Sequence, residues 1–324
     1  MNQIDYAYGV AYIRAIENRL LSKTDFENLI QAQSNQEAMQ ILLDKGYSSD
    51  QAEPEDFEAL LSNQLQQCWN EVREVAPEGA PLDVLLYKND FHNYKVVLKG
   101  INQGKKDYES LLLEPNTIAY KKMVSAVANR NFDNLPDMLR RPAQESYEIL
   151  TRTADSQLSD VIIDRAAMDY TLKEARASYS DFLFRYVLLQ NTLTDIKIAA
   201  RCAKTDKTAD FMDRALSEKS DVERSGLIKA ALSSETAVYE YLTANGFEEA
   251  GKLLSQSISQ FEKYADNLVT EFVRGAKYIT FGIEPMIAYL HAKLTEIQTV
   301  RIIMAARLHG FPEDEIRQRI RESA

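Results

Sequence analysis

Apolar residues recur along this chain at helical intervals. In segment 4–21, Tyr6, Val10, Ile13 and Leu20 follow a three-to-four spacing, which predicts an amphipathic helix packed on one face. Segments 55–75, 83–99, 157–178, 181–203, 255–274 and 284–309 follow the same rule, whereas alternating β-branched runs are nearly absent. Two capping boxes, Thr24-Asp-Phe-Glu27 and Ser34-Asn-Gln-Glu37, mark helix starts by pairing a hydroxyl with a Glu three residues on. Pro54, Pro115, Pro142 and Pro312 stand where further helices are expected to begin. Eleven Gly and eight Pro among 324 residues are too few to interrupt much of this pattern, so the expected class is all-α.

The chain also repeats itself weakly, at about one third of its length. Three helices carry one pattern: "DFHNYKVVLKG" with Asn93 and Lys95, "TLTDIKIAARC" with Asp195 and Lys197, and "EIQTVRIIMAARLHG" with Thr299 and Arg301. Each has a short polar residue two places before a base, then an apolar run, then a second base: Lys99, Arg201 and Arg307. Upstream, "SNQEAMQILLDKGY" at 34–47 lies over "SETAVYEYLTANGF" at 234–247, while "QESYEILTRTAD" in the middle copy has no glycine at the matching place. Three helical lobes are expected, at 1–104, 105–206 and 207–324. Lone charges on apolar helices need internal partners, so Lys95, Lys197 and Arg301 are expected to be held inside the chain. The second bases are expected to face a partner.

Charge narrows the function. Thirty-eight Lys and Arg against 49 Asp and Glu give a net charge of −11, with no segregated basic patch, which argues against nucleic acid. Cys68 and Cys202 lie far apart and suit a reducing cytoplasm rather than a disulfide framework. The opening residues lack the basic start and apolar core of a secretory signal. The longest weakly charged run, "YITFGIEPMIAYL" at 278–290, carries Glu284 and Pro285 and is shorter than the ~20 residues a spanning helix needs.

One stretch raises the question of nucleotide binding. Gly246-Phe-Glu-Glu-Ala-Gly251-Lys252 has the G-x-x-x-x-G-K spacing of a phosphate-binding loop. That loop needs a preceding strand and a closing Ser or Thr, yet "AVYEYLTAN" reads as helix, the next residue is Leu253, and Glu248 and Glu249 would repel phosphate. Asn245-Gly246 is therefore expected to be a helix stop, matched by Lys45-Gly46 in the first copy. His291 lies near Glu284 and Glu296, but separations of seven and five residues do not bring both carboxylates beside one imidazole as three or four would. No zinc or di-iron site, no cofactor and no catalytic group is expected, and Cys68 beside Trp69 reads as core.

The opening "YAYGVAYIRAIENRLLS", the three helices with a polar residue two before a base, and the closing "EIQTVRIIMAARLHGFPEDEIRQRIR" resemble the C subunit of the bacterial and archaeal V/A-type rotary ATPases. The eukaryotic counterpart is the d subunit of the vacuolar ATPase. The similarity runs from about residue 4 to the C-terminus, with Asp195 and Thr299 in place of the Asn of the family pattern. The resemblance implies three related helical lobes around a central cavity, seated on the proteolipid ring at one end and receiving the central stalk at the other. It implies a non-catalytic rotor subunit, peripheral on the cytoplasmic face of the membrane, that couples ATP hydrolysis or synthesis to H+ or Na+ transport without binding nucleotide. The alternatives are a free helical-repeat scaffold with a concave peptide-binding groove and, third, an enzyme built on Lys252 or His291.

Overall fold

The computed structural model describes residues 3–47, 56–105 and 107–321. These residues form helices and connecting turns, with no strand among them. In chain order the α-helices are α1 (Ala7–Ile16), α2 (Lys23–Gln31), α3 (Asn35–Asp44), α4 (Phe57–Val75), α5 (Tyr87–Asn102), α6 (Tyr120–Asn129), α7 (Asp137–Thr153) and α8 (Ser156–Ala177). There follow α9 (Asp181–Lys204), α10 (Ala209–Ala215), α11 (Arg224–Ser233), α12 (Glu235–Ala244), α13 (Glu248–Gln256), α14 (Ile258–Arg274), α15 (Glu284–Leu308) and α16 (Glu313–Arg319). None is long and apolar enough to cross a membrane.

The segment expected as one helix over 4–21 is instead α1 flanked by 3₁₀ turns at Gln3–Tyr6 and Glu17–Arg19. Its apolar face is real: Tyr6, Val10 and Ile13 are buried. The first capping box belongs to Ser22 and Asp25, not Thr24 and Glu27. The Ser22 hydroxyl accepts from the Asp25 N–H at 3.2 Å and the Asp25 carboxylate accepts from the Ser22 N–H at 2.8 Å. Asp does here what Glu does in the expected box, at the same spacing, and the helix starts two residues earlier. At α3, Ser34 caps the Glu37 N–H at 3.1 Å as expected, but Glu37 reaches back to the N–H of Gln33, at 2.6 Å.

Of the four prolines, Pro312 caps α16 as expected. Pro142 lies inside α7, where it cannot donate to the carbonyl four residues back. Pro115 follows a cis peptide bond in the loop before α6, and Pro54 falls outside the described residues.

The helices gather into two compact units, residues 1–80 with 265–324 and residues 81–264. In the first, α15 packs against α1, α2, α3 and α4. Its Val300, Ile303 and Met304 complete the core formed by Leu29, Leu42 and Leu61, so the last long helix fills the centre of the first helices. In the second, α5 packs on α6 and α8, α7 on α8, α8 on α9, and α11 to α13 follow in sequence. Phe91, Tyr94, Met123, Leu139 and Ile163 share one core there.

The phosphate-loop lookalike is a helix stop followed by a helix. Gly246 has φ +87°, and the Phe247 N–H donates back to the Leu242 carbonyl at 2.9 Å. Gly46, with φ +88°, ends α3 in the same way, the Tyr47 N–H reaching the Leu42 carbonyl at 3.1 Å. Both are left-handed stops of the kind that favours glycine. Gly251 is already inside α13, where a Cβ would stand 2.7 Å from the Tyr239 carbonyl oxygen, and Lys252 pairs with Glu249 at 3.3 Å on the helix surface. In the middle copy Ala154, with φ +57°, takes the left-handed place after α7 without being glycine.

Candidate functional site

The nine residues singled out by the repeat lie on three long helices, α5, α9 and α15, and each helix uses buried polar side chains to hold a loop that leads into another helix. On α5, the Asn93 side chain accepts from the Leu113 N–H at 2.7 Å and donates to the Leu113 carbonyl at 2.9 Å. One turn earlier, Asp90 accepts from the N–H groups of Thr117 and Ile118, both at 2.9 Å, and from the Thr117 hydroxyl at 2.6 Å. Both side chains are fully buried. They hold the loop that enters α6. On α9, Asp195 accepts from the Ser217 N–H at 3.0 Å and hydroxyl at 2.5 Å, while Thr192 accepts from the Asp221 N–H at 2.9 Å. They hold the loop leading to α11.

On α15 the duty passes to the earlier position. Thr299 turns back to the Thr295 carbonyl at 2.8 Å, and Glu296 accepts from the Leu21 N–H at 2.5 Å, just before α2. The same carboxylate accepts from the Tyr47 hydroxyl at 2.5 Å and the Lys293 ammonium at 2.6 Å. Lys293 and Glu296 form a buried ion pair, their side chains 3% and 4% exposed, with the ammonium 5.3 Å above the Tyr47 ring. Thus the third helix grips the start of the chain, 275 residues away in sequence.

All six bases of the repeat are engaged within the chain. Lys95 pairs with Asp164 and Lys99 with Asp160, both on α8. Lys197 and Arg201 converge on Glu262 of α14, at 3.6 and 3.0 Å. Arg301 holds both oxygens of Glu58 on α4 at 3.0 Å. Arg307 donates to the Ile30 and Ala32 carbonyls at 2.7 and 2.6 Å, so it caps the C-terminus of α2. The first bases are held internally as expected, and each second base, expected to face a partner, also has a contact within the chain, with the Arg201 side chain 57% exposed. The first base in each helix pairs with an acid on a long helix.

The helices also stop alike. Gly104, Asp206 and Gly310 have φ of +65°, +49° and +70°, and the Lys105, Lys207 and Phe311 N–H groups return to the carbonyls of Gly100, Cys202 and Ala306. Asp90, Thr192 and Glu296 were not among the repeat positions singled out from sequence. Their spacing matches that of Asn93, Asp195 and Thr299, but three residue types at one position hide the recurrence.

Burial raises Asp90 and Asp195 above the ordinary carboxylate range, against the hydrogen bonds that favour the charged form. Burial, with the Lys197 ammonium nearby, brings Lys88 down to about 8; its ammonium donates to Gln190 at 2.8 Å. Burial pushes the Cys68 thiol up to about 12 and Cys202 up to about 11, and neither is in a disulfide. His291 is half-buried, its Nε2 3.2 Å from the Thr270 hydroxyl, and Glu296 is engaged with Lys293, Tyr47 and Leu21 instead of joining it. No group of His, Cys, Asp and Glu among the described residues has the spacing to hold a metal ion.

Comparison with known proteins adds an independent line. The family model described as ATP synthase (C/AC39) subunit matches residues 10–319. The C subunit of the V-type sodium ATPase of Enterococcus hirae is 25% identical over 320 residues, covering 96% of both chains. The C subunit of the A-type ATP synthase of Methanocaldococcus jannaschii is 23% identical over 345 residues, covering 96% of this chain and 85% of that one. That of Methanobrevibacter smithii is 22% identical over 339 residues, with 96% and 86% covered.

Proposed function

The chain belongs to the ATP synthase (C/AC39) subunit family, and from that premise we propose that it is the non-catalytic coupling piece of a V/A-type ATPase, set between the central stalk and the membrane proteolipid ring. In this reading it passes torque between ATP turnover in other subunits and H+ or Na+ movement through the ring, while itself binding no nucleotide. It sits on the cytoplasmic side of the membrane, held there by its partners. Its three repeats form three lobes around a central cavity that takes the stalk.

The observation that carries the reading is the anchoring device common to α5, α9 and α15. A piece that transmits torque must not wind up, and close-packed interiors with satisfied polar groups transmit strain instead of absorbing it. Here the loops at Leu113–Ile118, Ser217 and Leu21 are tied to the three long helices by buried carboxylate or amide bonds to backbone N–H groups. Ion pairs add a second tie, from Lys95 to α8, Lys197 to α14 and Arg301 to α4.

The test is reconstitution of the parent ATPase with and without this chain, measuring ATP hydrolysis and ion uptake into vesicles. With the chain present, transport should follow hydrolysis; without it, the catalytic part should hydrolyse ATP with transport lost. Full coupling in its absence would overturn the proposal.

A further inference from the structure

Residues 81–264 carry a surface that the coupling reading does not use. Between α7, α8 and the first turn of α9 lies an open cleft of about 450 Å³, whose apolar lining includes Met138, Pro142, Ala166, Tyr170, Leu172 and Phe184. Pro142 has no N–H, so the Met138 carbonyl lacks the bond it would receive inside an ordinary helix. Along α8, positions 169, 172, 173 and 176 follow i, i+3, i+4, i+7 and share one face. That face carries Lys173 and Arg176.

The rim is cationic in a chain whose net charge is −11. The two acids at the cleft are already engaged: Asp169 accepts from the Glu218 N–H at 2.7 Å and from Arg165 at 3.3 Å, and Glu218 meets Arg165 at 3.5 Å. Among the described residues Lys173 meets one carboxylate, that of Glu174 at 4.0 Å, and lies 5.7 Å above the Tyr170 ring. Among the described residues Arg176 and Lys219 have no carboxylate within 4.0 Å; the Arg176 guanidinium stands 5.4 Å over the Phe184 ring. Stacking holds that guanidinium in place with its donors open to solvent. Beside the cleft, in the turn between α8 and α9, Tyr179 is 97% exposed.

We infer that this cleft is a docking site for an acidic amphipathic helix of a partner protein, which places one or two large apolar side chains over Tyr170 and Phe184 and its carboxylates on Lys173, Arg176 and Lys219. The apolar floor alone would accept many occupants. The three bases, set against the sign of the whole chain, select one with negative charge beside its apolar stripe. The site is independent of the stalk-and-ring reading and stands or falls without it.

The experiment uses the full chain and three probes: a fluorescein-labelled helical peptide of Leu and Glu with leucines at i, i+3, i+4 and i+7, its Leu and Lys counterpart, and phosphatidylglycerol vesicles. The acidic peptide is expected to bind, the basic one at least ten-fold more weakly. Arg176→Glu with Lys219→Glu should cost the acidic peptide at least ten-fold in affinity while the circular-dichroism melt is unchanged, because both side chains are exposed. A second variant, Phe184→Ala, removes the apolar contact and the ring that supports Arg176, and should weaken the acidic peptide by more than the basic one. Equal binding of the two peptides, no effect of charge reversal, or binding of the vesicles without the acidic peptide would overturn the inference.

Discussion

Left-handed positions show how far one residue can be read. Ala154 sits at φ +57° after α7 and is exposed. The left-handed region costs a Cβ-bearing residue roughly 1–2 kcal/mol, partly offset because glycine loses more freedom on folding. Ala154→Gly should therefore stabilise the protein by about 0.5 kcal/mol, seen as a higher urea midpoint at unchanged slope. Gly246→Ala, the reverse change at φ +87°, should destabilise by about 1 kcal/mol. His291 makes a different kind of prediction, because burial lowers its pKa to about 4. The folded chain keeps the imidazole neutral while the unfolded chain takes up a proton below its ordinary value of about 6.5. The contribution is thus fully present above pH 6.5 and lost as pH falls toward 4, by about 3 kcal/mol in all. Urea unfolding of His291→Gln between pH 7 and pH 4 should show a shallower acid loss than the parent; an equal slope would mean that His291 is not the group responsible.

Between helices, buried and exposed charge pairs divide sharply. Lys293 and Glu296 are almost wholly buried, whereas Arg301 and Glu58 keep 45% and 49% of their side chains in solvent. Removing Glu296 would leave the Lys293 ammonium without its carboxylate and Leu21 N–H and Tyr47 hydroxyl without an acceptor. Glu296→Ala should cost about 3–5 kcal/mol in denaturant unfolding. Lys293→Met with Glu296→Gln removes the charges together and keeps one acceptor oxygen, for the Leu21 N–H, while the amide NH2 faces the Tyr47 hydroxyl; it should cost less than Glu296→Ala. Glu58→Gln should cost less than about 1 kcal/mol, since exposed pairs are worth little. A loss from Glu58→Gln as large as that from Glu296→Ala would contradict this ordering. The helices carrying these pairs were legible as apolar stripes, and Asn93 and Asp195 stood out as polar residues on them. Their partners did not, because a carboxylate bonded to a backbone N–H needs no particular residue at the other end. Leu21 and Ile118 supply only amide groups, so nothing in their side chains marks them.

Across the whole chain, the two compact units differ in how they are made. Residues 81–264 are continuous, but the other unit joins 1–80 to 265–324. The all-α class and the long helices were legible because periodicity is local. The joining was not: α15 buries Ile287, Leu290, Ile297, Val300 and Ile303 around much of its circumference, and an apolar surface that broad does not say which helices it meets. The consequence can be tested by cutting the chain. Residues 81–274, which keep α14 entire, should fold alone with a cooperative thermal transition, having their own core around Phe91, Tyr94 and Leu139. Residues 1–80 alone lack Val300, Ile303 and Met304, which sit against Leu29, Leu42 and Leu61. Burying a side chain of this size contributes about 1.5–3 kcal/mol, comparable for the three together with the whole stability of a domain. The 1–80 fragment should therefore show little cooperative melting by circular dichroism, and mixing it with 265–324 should restore helix and a transition. A cooperative melt for 1–80 by itself would mean that α15 covers that core without completing it.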